Sequence, residues 1–182
     1  MSGLSMNKSI KTVFIMIALF LVLYTHSLAG QFKVTRVYDG DTIMAEGHDI
    51  IIYVLLAGID APEIGSPKQQ RGQPYGQEAK KYLKKLILNK IVDIKGYGLG
   101  PYPFNHLIGE LYLKDKNINI EMVKRGLAEV YREKYPERLN IVPYLEAEKE
   151  AKSARRGMWY LGEEYISPQD WRKMYKARYS IR

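Results

Sequence analysis

The sequence predicts an α+β domain in which a small β-barrel of five strands carries two or three packed helices. Three observations predict it. Short β-rich runs joined by tight turns fill the segment from Gln31 to Ile59. The hydrophobic period then becomes helical at Gln77. The length of 182 residues, with 46% hydrophobic and 26% charged residues, suits one domain with a real core rather than a disordered chain.

The chain opens with an address. Lys8 and Lys11 precede an unbroken apolar run, Val13 to Tyr24, and Ser27-Leu28-Ala29 supplies small residues at the first and third places of a cleavage triplet. As a helix that run reaches roughly 18 Å, short of the roughly 30 Å hydrocarbon core. Residues 1–29 therefore read as a secretory signal, with an uncleaved membrane anchor as the alternative. Residues 30–182 read as the folded domain with a C-terminal helical extension, working in the periplasm or outside the cell. The absence of cysteine closes the lipoprotein route and excludes a disulfide scaffold, a thiolate zinc site and a cysteine nucleophile.

The domain's elements follow in order. Gln31 to Val37 is a strand, with Phe32, Val34 and Val37 apolar between polar residues. Tyr38-Asp39-Gly40-Asp41 is a turn in which Gly40 can take positive φ. Thr42 to Ala45 resumes the strand, and Glu46-Gly47-His48-Asp49 turns again. Ile50 to Ile59 is apolar and β-branched, the pattern of a strand buried on both faces. Residues 61–75 are rich in Pro, Gly, Gln and Lys and read as a loop. In Gln77 to Leu88, Ala79, Tyr82, Leu83, Leu86 and Ile87 form one helical stripe opposite Lys80, Lys81, Lys84 and Lys85. Ile91 to Lys95 and Leu107 to Leu113 are strands around a Gly/Pro/Tyr-rich loop. Asn119 is placed to cap a helix whose Ile120, Val123 and Leu127 face the core. Pro143 to Arg156 is a charged helix with Glu148 and Lys152 spaced for a salt bridge, stopped by Gly157. Ser167-Pro168 opens a last short helix through Trp171 and Tyr175, with proline in its first turn. Trp159 and Trp171 read as core anchors. No heptad or large apolar face suggests assembly, so a monomer is expected.

Two acidic clusters carry chemistry: Asp39-Gly40-Asp41-Thr42 and Asp60-Ala61-Pro62-Glu63. Each sits where a strand gives way to a loop, and such ends converge at a barrel mouth. Carboxylates gathered there repel one another unless a cation intervenes. With no His or Cys in either cluster, the oxygen-only donors select a hard cation such as calcium. The net charge of +8 and the fifteen tyrosines favour a polyanion with stackable rings, namely nucleic acid. Lys68, Arg71, Lys80, Lys81, Lys84 and Lys85 form one basic segment, and Arg125, Arg132 and Lys134 another. Tyr97, Tyr102, Phe104, Tyr131 and Tyr135 are candidate base-stacking rings.

An ordered set of motifs resembles the staphylococcal nuclease (thermonuclease) family. It comprises 37–42 (VYDGDT), 56–63 (LAGIDAPE), 72–79 (GQPYGQEA), 119–128 (NIEMVKRGLA), and 147–151 (AEKEA) through 155–159 (RRGMW). The resemblance runs from about Phe32 to about Lys176. It implies an OB-type barrel with helices packed on it, and calcium-dependent cleavage of DNA and RNA phosphodiesters. Position by position, Asp41 and Asp60 fall on calcium-binding aspartates, Ala61 on a carbonyl ligand, and Glu63 on the glutamate that activates water. The family also uses two arginines, and those positions hold Leu55 and His106 here. A lost charged donor of this kind typically removes roughly 2.7–4 kcal/mol of transition-state stabilisation. Leu55 cannot compensate. His106, if protonated, can donate to a phosphate oxygen or act as a general acid, and Lys68, Arg71 or Arg36 could bring a cation. Two readings follow: an exported calcium-dependent nuclease of weakened activity acting on single-stranded DNA or RNA, and a catalytically inactive OB-type module that binds nucleic acid.

Overall fold

The computed structural model describes residues 30–65, 72–101 and 105–179, with side chains described to Met174. The predicted leader, together with Lys68, Arg71, Tyr102 and Phe104, lies outside the described residues. Among the described residues no helix is long and apolar enough to cross a membrane.

The barrel begins with a meander of β1 (Gly30–Val37), β2 (Thr42–Gly47) and β3 (Ile50–Leu56). A register shift between Val34 and Arg36 inserts an extra residue into β1. That bulge explains how Val34 and Val37, three apart, both turn inward. β2 and β3 join through a two-residue turn, His48-Asp49, with positive φ at both residues; this is the turn form whose twist matches paired strands. β5 (Ile91–Leu99) pairs antiparallel with β1, and β6 (Leu107–Leu113) with β5. The barrel closes where β3 meets β6 in parallel, Val54 opposite Leu107 and Leu56 opposite Gly109. This is the OB-type closure the sequence predicted. A two-residue β7 (Lys116–Asn117) extends the β6 edge.

Among the described residues the α-helices are α1 (Gly76–Ile87), α2 (Ile118–Lys124), α3 (Val142–Ser153) and α4 (Pro168–Tyr179), with a 3₁₀ segment (Gly157–Glu164) between the last two. α1 buries Ala79, Leu83 and Ile87 and exposes Lys81, Lys84 and Lys85, with Lys80 half-buried.

Three expectations are corrected. β3 is not buried on both faces: Ile50, Ile51 and Tyr53 are exposed, and only Val54 and Leu56 are buried, because one face of a barrel strand meets solvent. Leu55, expected in the core, is half-buried. The cap of α2 is Asn117, whose side chain accepts the Ile120 N–H, while Asn119 lies inside the helix and is fully buried. Asn119 accepts the Leu111 N–H and donates to the carbonyls of Ala57 and Gly109, so it ties the helix to the barrel closure. With Asn119 turned inward, Met122 rather than Ile120 joins Val123 in the core.

One close approach fixes how the C-terminal part docks. Gly126 ends the α2 turn at φ +67°, and a Cβ there would lie 2.1 Å from the Arg156 carbonyl oxygen. The Met158 N–H donates to the Gly126 carbonyl at 2.9 Å.

Candidate active site

Both acidic turns are set by the barrel. Asp39 stabilises the first by accepting the backbone N–H groups of Asp41 and Thr42 through Oδ1, at 3.0 and 2.6 Å. Gly40 is required here for closeness and not for the positive φ expected of it. A Cβ on Gly40 would lie 2.6 Å from the Ala61 methyl and 2.8 Å from that of Ala79. The first turn therefore lies against the second and against α1. Asp41 completes the junction: its Oδ2 accepts the Ala61 N–H at 2.8 Å, and its Oδ1 accepts the Thr42 hydroxyl at 3.0 Å.

The second turn leaves the barrel at Ala57, whose N–H donates to the Gly109 carbonyl. It then forms β4 (Ile59–Asp60), which pairs antiparallel with β8 (Glu129–Val130) and sets Asp60 opposite Glu129. Gln73 pins Glu63: its Oε1 accepts the Glu63 N–H, its own N–H donates to the Glu63 carbonyl, and its Nε2 donates to the Ile166 carbonyl. Through that last bond Gln73 also fixes the approach to α4.

Asp60 and Glu63 meet at a guanidinium. Arg172, on α4, donates from Nη1 and Nη2 to the two oxygens of Asp60 at 2.9 and 2.8 Å, and from Nη1 to Glu63 Oε1 at 2.7 Å. The hydrogen bonds to Asp60, foremost, hold its proton even more firmly than usual. α4 is secured at its start by reciprocal bonds between Ser167 and Asp170, a capping arrangement, and by a bond from Gln169 to Glu133.

The neighbourhood remains short of positive charge. Burial pushes the Asp41 carboxyl well up, and the charges of Asp39 and Asp60 push it further. Burial also raises Glu63, outweighing the Arg172 contact, and raises Glu129 against the hydrogen bond from Tyr165; the Asp60 charge adds to both. Oxygen donors in a field this negative suit a hard divalent cation in chemistry. In geometry, no three His, Cys, Asp or Glu side chains among the described residues converge to hold a metal.

The other predicted residues lie around this rim. His106 stacks on Tyr53, ring centres 5.7 Å apart and planes 20° from parallel. Tyr53 approaches Tyr38 at 6.0 Å, and the Arg36 guanidinium covers Tyr38 at 4.9 Å. These four make a row of π-faces. Tyr131 donates its hydroxyl to Glu133 and feels the charges of Asp60 and Arg172. Sequence reasoning missed Arg172, Glu129 and the Tyr38–Tyr53 pair. Alternation of outward residues on β3 could have marked Tyr53, but nothing local marks Arg172.

Comparison with known proteins gives a consistent result. Residues 53–161 match the family described as staphylococcal nuclease homologue. A Haemophilus influenzae protein named an uncharacterized endonuclease is 33% identical over 146 residues, covering 79% of this chain and 74% of that protein. Proteins named probable endonuclease LCL3 from Komagataella phaffii and Pyricularia oryzae are each 32% identical, over 134 and 132 residues. Those alignments cover 69% of this chain and 56% and 50% of the fungal proteins, so the chain spans about half their length.

Proposed function

We propose, from the premise that the chain belongs to the staphylococcal nuclease homologue family, that it hydrolyses phosphodiester bonds of single-stranded DNA or RNA with calcium as cofactor. The observation behind this reading is that Asp41 accepts the Ala61 N–H while Asp60 and Glu63, on the same turn as Ala61, share the Arg172 guanidinium.

Asp41, Asp60 and the Ala61 carbonyl are the groups that would hold calcium, which when bound supplies charge to offset the phosphate's. Glu63 is the base. Burial holds its carboxyl above the ordinary carboxylate range, so it is a better proton acceptor than an exposed glutamate. It takes the proton of the attacking water as the water oxygen bonds to phosphorus. The ester oxygen leaves with the bonding pair and collects a proton from solvent or through His106. The row Arg36, Tyr38, Tyr53 and His106 offers faces on which successive bases stack without regard to sequence. Lys68, Arg71, Phe104 and Tyr131 remain candidates for further contacts. In this reading residues 1–29 export the domain, and it works as a monomer.

The test is to incubate the domain with denatured DNA in calcium or in a chelator. Breakdown that needs calcium and vanishes in Glu63→Gln is the expected result. Retention of DNA without breakdown over long incubation would replace the enzyme with a non-catalytic binding module.

A further inference from the structure

We propose that Arg172 is the phosphate-binding guanidinium of this site, gripping the reacting phosphodiester through the edge its protein partners leave open. The proposal rests on the nuclease reading.

The argument is a count of donors. A guanidinium carries five N–H groups. Among the described residues, Arg172 uses both protons of Nη1 and one of Nη2, on Asp60 and Glu63. Nε–H and the second Nη2 proton remain. Asp60 takes the Nη1–Nη2 end of the fork and Glu63 the lone proton beside Cδ, so the two left over lie parallel on the Nε–Nη2 edge. Two parallel N–H groups match two oxygens of a phosphate. The Arg172 side chain as a whole is 37% exposed.

The same three bonds make the fork rigid. Asp60 fixes the guanidinium plane, and Glu63, the proposed base, fixes its rotation. A phosphate on the open edge would share the guanidinium plane with Glu63 and Asp60. Gln73 adds a backbone strut, because it holds Glu63 and the residue leading into α4 at once. A surface latch for α4 would need one ion pair, not a fork aimed at both Asp60 and Glu63. Arg172 stands on α4, beyond the matched family segment 53–161.

The experiment compares wild type, Arg172→Lys and Arg172→Ala in calcium-dependent breakdown of a labelled single-stranded oligodeoxynucleotide, with a thermal melt of each. About 100-fold or greater loss of kcat in Arg172→Ala is expected, with Arg172→Lys recovering little of it, because lysine keeps the charge but lacks the parallel donors. Millimolar guanidinium ion should restore part of the Arg172→Ala rate by refilling the space between Asp60 and Glu63. Activity equal to or above wild type in a folded Arg172→Ala would overturn the proposal and make Arg172 a plug on the site. Should wild type itself break no DNA, the nuclease reading fails separately. Fluorescence anisotropy with the same oligonucleotide then decides: affinity lowered in both variants sustains the phosphate fork, and unchanged affinity refutes it.

Discussion

Replacing Asn119 by leucine should weaken the barrel closure far more than a like-sized change elsewhere in α2. The side chain is fully buried and makes three hydrogen bonds, accepting from the Leu111 N–H at 3.0 Å and donating to Ala57 O at 2.9 Å and Gly109 O at 3.1 Å. Leucine keeps the branched shape but leaves those groups facing apolar atoms. Gly109 O keeps a partner in the Ala57 N–H. The Leu111 N–H and the Ala57 carbonyl lose their Asn119 bonds, and each buried group left unsatisfied costs about 1–3 kcal/mol. The expected loss is therefore about 2–6 kcal/mol, or about 5–20 °C in Tm for a domain of this size. Urea unfolding followed by circular dichroism measures it, with an unchanged m-value showing that the two end states are the same. Asn119→Asp sharpens the test. It keeps the acceptor for Leu111 but turns a carboxylate towards two carbonyls, so its deficit should shrink at acid pH, where a protonated carboxyl can donate. A melting temperature for Asn119→Leu within about 2 °C of wild type would refute the reasoning, because so small a shift leaves no room for a buried unsatisfied amide.

Two further outcomes follow from the same packing. Burial alone would raise the Glu148 carboxyl, but bonds from Arg132, the Val130 N–H and Lys152 outweigh it and hold it below its ordinary value. Its contribution is thus present above about pH 4.5 and lost as pH falls through the lowered value. Glu148→Gln should flatten the acid limb of the stability curve by about 1 kcal/mol, since both cationic partners are largely solvent-exposed. An unaltered limb would count against it. Gly126→Ala should cost several kcal/mol or prevent folding, because the new methyl would overlap the Arg156 carbonyl at a positive φ; a wild-type melt would show that the α2 turn and the 3₁₀ segment can separate freely.

Much of the fold could be read from the chain because it follows from repeating patterns. The stripe in α1 and the alternation in β1 and β2 each depend on neighbours a few residues away. β3 misled because an apolar, β-branched run looks the same whether both faces are covered or one meets solvent; only closure of the barrel decides. Asn119 misled for a different reason. An asparagine before an apolar stripe is a good cap, and Asn117 is an equally good one two residues earlier, so the choice depends on whether a buried amide has partners across the barrel. Within the candidate site, Asp41, Asp60 and Glu63 stood out because short motifs held them. Arg172 did not, since it reaches Asp60 across 112 residues and Glu63 across 109, and its helix shows only an ordinary charged pattern.

The most direct measurement follows calcium through two readouts on one protein: breakdown of denatured DNA and thermal stability. Wild type should show both responses with the same half-saturation, because an ion held by Asp41 and Asp60 favours the folded form while it enables cleavage. Asp41→Asn with Asp60→Asn should lose both together. Breakdown that continues at the wild-type rate in that double variant would place the reaction somewhere other than this rim.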